Sequence, residues 1–228
     1  MPLPQRIAID GPAASGKSTL AQRLAETLGY LYFDTGVLYR AVTWAALQRG
    51  DAVEDADALT DLAANLPIDV RPPSKADGRK YDVWVGKHDV TWAIRSPEVD
   101  RWVSVVAAHP GVRQALIEKQ REIGRRGRVV MVGRDIGTVV MPDADLKIYL
   151  DASAEERARR RYEERRARGE RVSYERILAA VQARDRLDAQ RTVAPLRAAD
   201  DAVVIQTDDL DAAQVFGRVL ALIEDADC

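Results

Sequence analysis

The chain has 228 residues and a formal net charge of −2, because 34 lysines and arginines stand against 36 aspartates and glutamates. This length suits one α/β domain with insertions, and the balance of charge argues against a surface that coats nucleic acid. The one cysteine, Cys228, cannot form an internal disulfide, and the two histidines are isolated in the sequence. No apolar run is long enough to cross a membrane and the first strand follows the N-terminus closely, so we expect a cytoplasmic protein.

The first predicted element is a short apolar strand at residues 7–9, and a helical pattern extends to Leu28. Between them, residues 11–18 read GPAASGKS and match the phosphate-binding loop G-x-x-x-x-G-K-[ST] in its strand–loop–helix context. Backbone N–H groups of such a loop point at phosphate oxygens, and the helix adds its positive N-terminus. Lys17 is predicted to neutralise the β- and γ-phosphates and the Ser18 hydroxyl to ligate Mg²⁺. The sequence therefore predicts a nucleoside triphosphate site.

Four further apolar segments are typical of strands, and helical stretches separate them. They lie at residues 30–33, 128–132, 146–150 and 202–205. Together with the first segment they predict an α/β fold, a five-stranded parallel sheet with helices on both faces. Ligands of such sheets bind at the carboxyl ends of the strands. We therefore expect the polar clusters at residues 34–35, at 133–135 and at Asp151 to face the ligand.

Residues 66–95 follow a different pattern, in which short alternating segments are joined by turns. The strands are predicted at residues 68–70, 81–85 and 90–92, with turns at 76–79 and 86–89. This pattern indicates a small three-stranded antiparallel insert beside the main sheet. Helices are expected to follow at about 97–108 and 110–125.

Residues 153–171 are dense in arginine and glutamate. Composition alone favours a solvated helix with i,i+4 ion pairs between these residues. A helical lid, whose arginines close over transferring phosphates, is the second interpretation, and the phosphate-binding loop gives it weight. Asp151 or Ser153 would cap this helix, and Gly169 would end it or act as a hinge.

A kinase of small molecules needs a second anion site opposite the phosphate-binding loop, because phosphoryl transfer depends on positioning and charge stabilisation. Candidates for it are Arg40, the pair Arg134 and Asp135, and the set Arg184, Asp188 and Arg191, which shares one helix face if the helix extends that far. Each candidate also has a structural interpretation. Arg40 would be a surface residue, and the other two sets would form ordinary ion pairs.

Five motifs in one order show that the chain resembles the bacterial cytidylate kinase family of nucleoside monophosphate kinases. They are IDGPAASGKS at residues 9–18, DTGVLYR at 34–40, GRDIGTVV at 133–140, DASAEERA at 151–158 and RTVAPL at 191–196. The insert fits as well, since bacterial members have an enlarged monophosphate-binding domain. The resemblance covers nearly the whole chain. It implies one P-loop kinase domain at residues 1–228, with a monophosphate-binding region at 35–110 and a lid at 153–171.

The resemblance implies transfer of the ATP γ-phosphoryl group to CMP or dCMP with Mg²⁺ as cofactor. The residues that it implies for ATP are Gly11, Pro12, Ala13, Ala14, Ser15, Gly16, Lys17, Ser18 and Thr19. Those that it implies for CMP are Arg40, Arg134 and Arg191 at the phosphate, Thr35, Arg113 and Asp135 at the base, and Arg184 and Asp188 at the sugar. The expected catalytic groups are Lys17, Arg134 and Arg191, with Arg157 and Arg161 from the lid. Thr35 stands where many members have serine, which keeps the hydroxyl.

The chemistry of cytosine agrees with this assignment. A carboxylate such as Asp135 can accept a hydrogen bond from the exocyclic amine, while Arg113 and Thr35 can donate to N3 and O2. Uracil inverts the donor pattern at C4 and N3, which would leave buried groups without partners.

Three alternative functions stay open at this stage. A GTP-hydrolysing switch usually carries N-K-x-D, but the one asparagine, Asn65, is followed by Leu66 and Pro67. A nucleic-acid-associated ATPase would explain the arginine-rich run, although the interleaved glutamates weigh against it. A kinase of UMP, AMP or shikimate would share the fold, and only the base-reading residues separate these. With no sustained heptad, we expect a monomer whose partners are its two nucleotides, without nucleic acid or membrane.

Overall fold

The computed structural model describes residues 3–50, 53–167, 169–189 and 194–225. In these residues eight strands and eight helices form two sheets and their covering layers. The strands are β1 (Arg6–Asp10), β2 (Leu31–Asp34), β3 (Ile68–Arg71), β4 (Asp82–Val85), β5 (His88–Asp89), β6 (Val129–Val132), β7 (Leu146–Asp151) and β8 (Val203–Gln206). The helices are α1 (Lys17–Leu28), α2 (Gly36–Arg49), α3 (Ala56–Asn65), α4 (Pro97–Val106), α5 (Pro110–Arg125), α6 (Ala154–Ala167), α7 (Tyr174–Ala189) and α8 (Ala212–Asp225).

The main sheet has the strand order β2-β6-β1-β7-β8, and every neighbouring pair is parallel. Interior strands of this sheet are buried on both faces, as the zero exposure of Ile7 and Ala8 in β1 and of Val130 and Met131 in β6 shows. Continuous apolar runs are what such strands require, because helices cover both sides of the sheet. The five strands predicted from these runs are confirmed, within one or two residues at their ends.

The small sheet is antiparallel in the order β3-β4-β5, which confirms the predicted insert. The position of its third strand was predicted wrongly, because β5 is His88–Asp89 rather than residues 90–92. Gly86 adopts a φ of 58°, which only glycine reaches without strain, so the chain reverses within two residues. Residues 90 and 91 still bond to β4, but through the Val90 N–H to the Val83 carbonyl and the Val83 N–H to the Thr91 hydroxyl.

Helices α6 and α7 pack on each other around a small apolar cluster of their own, formed by Ala158, Ile177 and Val181. The Ser153 hydroxyl accepts a hydrogen bond from the Glu156 N–H at 3.2 Å, so Ser153 caps α6 as predicted. The helix ends at Ala167, earlier than residue 171. No helix in the described ranges combines the length and the apolar character needed to span a bilayer.

Candidate active site

The phosphate-binding loop leaves β1 at Asp10 and enters α1 at Lys17. Lys17 is buried, and its Nζ donates a hydrogen bond to the Pro12 carbonyl at 2.5 Å. Burial, assisted by the nearby Arg134 guanidinium, lowers the pKa of Lys17 to about 7. An anion beside Nζ would reverse this shift, because an opposite charge favours the charged amine. The loop therefore holds a cation that is incompletely compensated until an anion binds.

Gly11 lies at the start of this loop and has a φ of 143°, which residues with a side chain rarely adopt. A Cβ at this position would lie 2.1 Å from the backbone oxygen of Leu150 in β7, which cannot move without parting two central strands. We expect Gly11→Ala to lower the free energy of unfolding by about 3 kcal/mol, through backbone strain and overpacking. Thermal denaturation should show a fall in Tm of about 6–12 °C for a domain of this size.

Gly217→Ala is the matched control for this prediction. Gly217 lies inside α8, and a Cβ there would meet nothing within 4 Å. Alanine is a better helix former than glycine, so this variant should keep or raise the Tm. If Gly11→Ala melts like the control, the close approach of β1 to β7 does not determine the loop.

Two cavities adjoin the loop, and each is lined by different loop residues. The first, the arginine-lined cavity, has a volume of about 520 Å³ and contains Lys17 and Ser18 in its wall. The other predicted residues that line it are Ala13, Ala14, Thr35, Arg40, Arg113, Arg134, Asp135, Arg161 and Arg184. The structure therefore brings together side chains from α1, α2, α5, α6, α7 and the loop after β6, which the sequence separates by up to 167 positions.

The second, the lid-side cleft, has a volume of about 540 Å³ and is lined by Ser15, Gly16 and Thr19 of the same loop and helix. Its opposite walls come from α6 and from residues 207–212 after β8. Arg160 joins these walls, since it donates to the Thr207 hydroxyl at 3.2 Å and to the Thr207 carbonyl. This cleft was not predicted from the sequence, because residues 207–212 carry no motif.

At one end of the arginine-lined cavity, Arg113 donates to the Asp135 carboxylate at 3.1 Å, and both side chains are buried. The Thr35 hydroxyl lies at the same end and donates to the Val132 carbonyl at 3.0 Å. Within the described residues, the buried Nε of Arg113 has no hydrogen-bond partner. Buried polar atoms are nearly always paired, so this donor indicates a place for a ligand acceptor.

Along the opposite wall, Arg134 Nε lies 2.5 Å from Asp188 Oδ2, and Arg184 Nε lies 3.4 Å from Asp188 Oδ1. Asp188 is fully buried, and its contacts with Arg134 and Arg184 hold both arginines at the cavity wall. The alternative in which Arg134 pairs with Asp135 is therefore wrong, while the pair of Arg184 with Asp188 is confirmed. Arg184 also donates to the Ser104 hydroxyl at 3.0 Å.

Three other predicted arginines differ in their placement. Arg40 is held by Asp100 at 2.6 Å and by the Ile94 carbonyl at 3.1 Å, at the edge of the cavity. Arg157 is buried, forms two bonds to Asp185 at 2.9 and 2.6 Å, and donates to the Ala13 carbonyl at 3.2 Å. In the described chain it lines neither cavity, and it joins α6 to the phosphate-binding loop. Arg191 lies outside the described residues.

The comparisons with known proteins agree with this architecture. Residues 7–225 match the sequence model of the family described as Cytidylate kinase. The cytidylate kinase of Chloroflexus aggregans is 56% identical over 220 residues, which cover 96% of this chain and 94% of that protein. The cytidylate kinase of Roseiflexus castenholzii is 54% identical and covers 99% of this chain and 96% of its own.

Two further matches add context. A bifunctional pantoate ligase/cytidylate kinase of Synechococcus sp. is 51% identical over 95% of this chain, which spans 40% of that protein. The solved structure of an uncharacterized protein from Eubacterium ventriosum has a TM-score of 0.51 at 11% identity, and covers 96% of this chain and 97% of its own. That likeness concerns the fold alone. The full-length matches above, on a chain with this loop and these two cavities, place it in the cytidylate kinase family.

Proposed function

We propose that the chain transfers the γ-phosphoryl group of ATP to CMP or dCMP, giving ADP and CDP or dCDP. The observation that carries this proposal is that both cavities adjoin the phosphate-binding loop, one at Ser15 and Gly16 and the other at Ala13, Ala14, Lys17 and Ser18. A triphosphate on the loop and a monophosphate in the arginine-lined cavity would present their phosphates to each other beside Lys17.

ATP would lie with its phosphates on residues 11–19 and its nucleoside in the lid-side cleft. The cleft has the volume that small-molecule sites commonly have, and Ser15, Gly16 and Thr19 connect it to the loop. Arg159 and Arg160 line the cleft on the lid side, where they can close over the nucleotide. This placement leaves the γ-phosphoryl group at the loop surface that faces the other cavity.

CMP would lie with its base between Thr35, Arg113 and Asp135. The Asp135 carboxylate accepts from the cytosine amine, while Arg113, whose Nε lacks a partner in the described chain, donates to a ring acceptor. The phosphate would meet Arg40, Arg134 and Arg191, and the sugar would meet Arg184 and Asp188. Because Asp188 is buried against two arginines, its contact with the sugar requires that one of these pairs opens.

Catalysis in this site would depend on charge rather than on proton transfer. The attacking oxygen of a monophosphate is already anionic, so no general base is needed. Lys17 and Arg134 would stabilise the charge that develops on the transferring group, together with Arg161 and Arg191. Arg157 contacts the loop carbonyl of Ala13, from where it would hold the lid over the phosphates.

The oxygen donors beside the loop fit a magnesium ion. The Ser18 hydroxyl and the Asp34 carboxylate both line the arginine-lined cavity, and no group of three metal-binding side chains occurs in the described chain. Mg²⁺ in kinases is usually held by one or two protein oxygens, water and the substrate phosphates, which matches this set. When bound, it would supply charge neutralisation at the β- and γ-phosphates.

Asp34→Asn tests the magnesium site. Asp34 Oδ1 accepts from the Gly36 N–H at 2.9 Å, and an asparagine oxygen can keep that bond. We expect the Mg²⁺ concentration for half-maximal activity to rise about 10-fold or more, since an anionic partner of the ion is lost. Asp143→Asn, at the other end of the sheet, should leave the Mg²⁺ dependence unchanged. Equal Mg²⁺ dependence in both variants would remove Asp34 from the site.

The proposed function is tested by ADP formation from ATP and Mg²⁺ with CMP, dCMP, UMP, AMP, GMP or no acceptor. Turnover with CMP and dCMP only is the expected result. Turnover with another acceptor would keep the phosphoryl-transfer site but exclude the base-reading roles of Thr35, Arg113 and Asp135. ADP release without an acceptor would place the chain among ATPases.

A further inference from the structure

Asp10 links the two halves of the site. It is the last residue of β1, directly before Gly11, and it is only 4% exposed. Its Oδ1 accepts a hydrogen bond from the Ile136 N–H at 2.9 Å, and its Oδ2 accepts from the Gly137 N–H at 2.7 Å. These two amides lie directly after Arg134 and Asp135, two of the residues assigned to the acceptor.

The backbone around these amides forms a single π-helical turn at residues 136–140. The Asp135 carbonyl accepts from the Val139 and Val140 N–H groups, so the turn begins at the base-reading residue itself. The first N–H groups of a helical turn have no acceptor within it, and here they are buried. The Asp10 carboxylate satisfies two of them.

We propose that Asp10 is a positioning residue. It holds the backbone that carries Arg134 and Asp135 in a fixed position relative to the phosphate-binding loop. Asp10 is anchored in β1, so the two bonds fix the acceptor-binding turn to the strand from which the loop departs. The assignment of CMP as acceptor rests on the proposed function, but the two hydrogen bonds that join Asp10 to the turn do not.

Asp10 uses both of its carboxylate oxygens, one for each of the two amides. Burial, together with the nearby Asp135, raises the pKa of Asp10 to about 6, while the two N–H groups and Lys17 favour the charged form. Buried charges are retained where they are hydrogen-bonded, and here the two amides supply those bonds. Asparagine has the same shape but only one acceptor atom, so its amide nitrogen would face one of the two N–H donors.

Asp145 provides a matched control at the other end of β1. Its Oδ2 accepts from the backbone N–H groups of Gln5 and Arg6, both at 2.9 Å. It therefore also holds two amides, at the N-terminal end of β1, and it lines neither cavity. The experiment compares Asp10→Asn with Asp145→Asn in the full chain, by steady-state kinetics, Tm and amide hydrogen exchange.

We expect Asp10→Asn to lower kcat/KM for CMP about 10- to 100-fold, the loss associated with one hydrogen bond to a charged group. The KM for ATP should stay within about 3-fold, because the backbone pairing of β1 is unchanged. The ratio of kcat/KM for CMP to kcat/KM for UMP should also fall. Hydrogen exchange of the Ile136 and Gly137 amides should become faster. Asp145→Asn should change none of these quantities.

Two results would overturn the proposal. One is a kcat/KM for CMP within about 3-fold of the unmodified chain, with unchanged exchange at residues 136 and 137. The other is an equal fall in kcat/KM for ATP and for CMP that accompanies a fall in Tm. This result would mean a general effect on the fold. If the unmodified chain does not use CMP, the proposed function fails instead. The exchange at residues 136 and 137, and the KM of whichever acceptor is used, then decide the role of Asp10.

Discussion

Replacement of Arg134 by alanine should lower kcat about 100- to 1,000-fold, the cost of removing one group that stabilises transition-state charge. Arg134 lines the arginine-lined cavity, and its cation contributes to the depressed pKa of Lys17, so it lies close to the phosphate position. Affinity for ATP should change little, because the loop and the lid-side cleft do not use this side chain. Steady-state kinetics together with calorimetric ATP binding would measure the two effects separately.

The alanine variant also removes the cation that contacts the buried Asp188 carboxylate, and Arg134→Lys controls for this loss. Asp188 is fully buried and 2.5 Å from Arg134 Nε, so removal of the cation also costs stability. Lysine keeps a charge near Asp188 but loses the planar fork that binds two oxygens. It should retain most of the Tm and still lower kcat. A near-normal kcat in the alanine variant would exclude Arg134 from the reaction.

Asp135→Ala should remove most of the preference for CMP over UMP, a change of about 100-fold or more in the ratio of kcat/KM values. The carboxylate is the group that distinguishes the cytosine amine from the uracil carbonyl in the proposed site. It is buried beside Arg113, where an unmatched donor or acceptor is costly. The measurement is kcat/KM for both nucleotides at saturating ATP.

Asp135→Asn sharpens this test. An amide can still accept from the cytosine amine through its oxygen, and can donate to uracil O4 through its nitrogen. We therefore expect this variant to use UMP better than the unmodified chain does, with a smaller loss on CMP than in Asp135→Ala. An unchanged CMP:UMP ratio in both variants would contradict a base-reading role for Asp135.

The interior strands of the main sheet could be predicted from the sequence because they are buried on both faces. Such strands must be continuously apolar, and segments such as 129–132 stand out against the charged helices. The third strand of the insert could not be placed correctly. The position of this strand depends on the length of the turn, which Gly86 shortens to two residues. Residues 90–92 are also rich in strand-forming side chains, so the sequence does not distinguish them from a strand.

The residue types of the site could be predicted, but not the partners of each side chain. Arg134 finds Asp188 rather than its neighbour Asp135, because α7 places Asp188 at the carboxyl end of β6. Asp10 accepts from amides 126 and 127 positions away, a distance that no local pattern encodes. The lid-side cleft depends in the same way on contact between α6 and residues 207–212.

The most direct test of phosphoryl transfer is the fate of a γ-labelled phosphate. The chain, Mg²⁺ and γ-labelled ATP would be mixed with equal amounts of CMP and UMP, and the products separated by chromatography. The two cavities and the base-reading residues predict that the label appears in the β-phosphate of CDP. Label in inorganic phosphate would contradict transfer to an acceptor, and label mainly in UDP would contradict the assignment of the base.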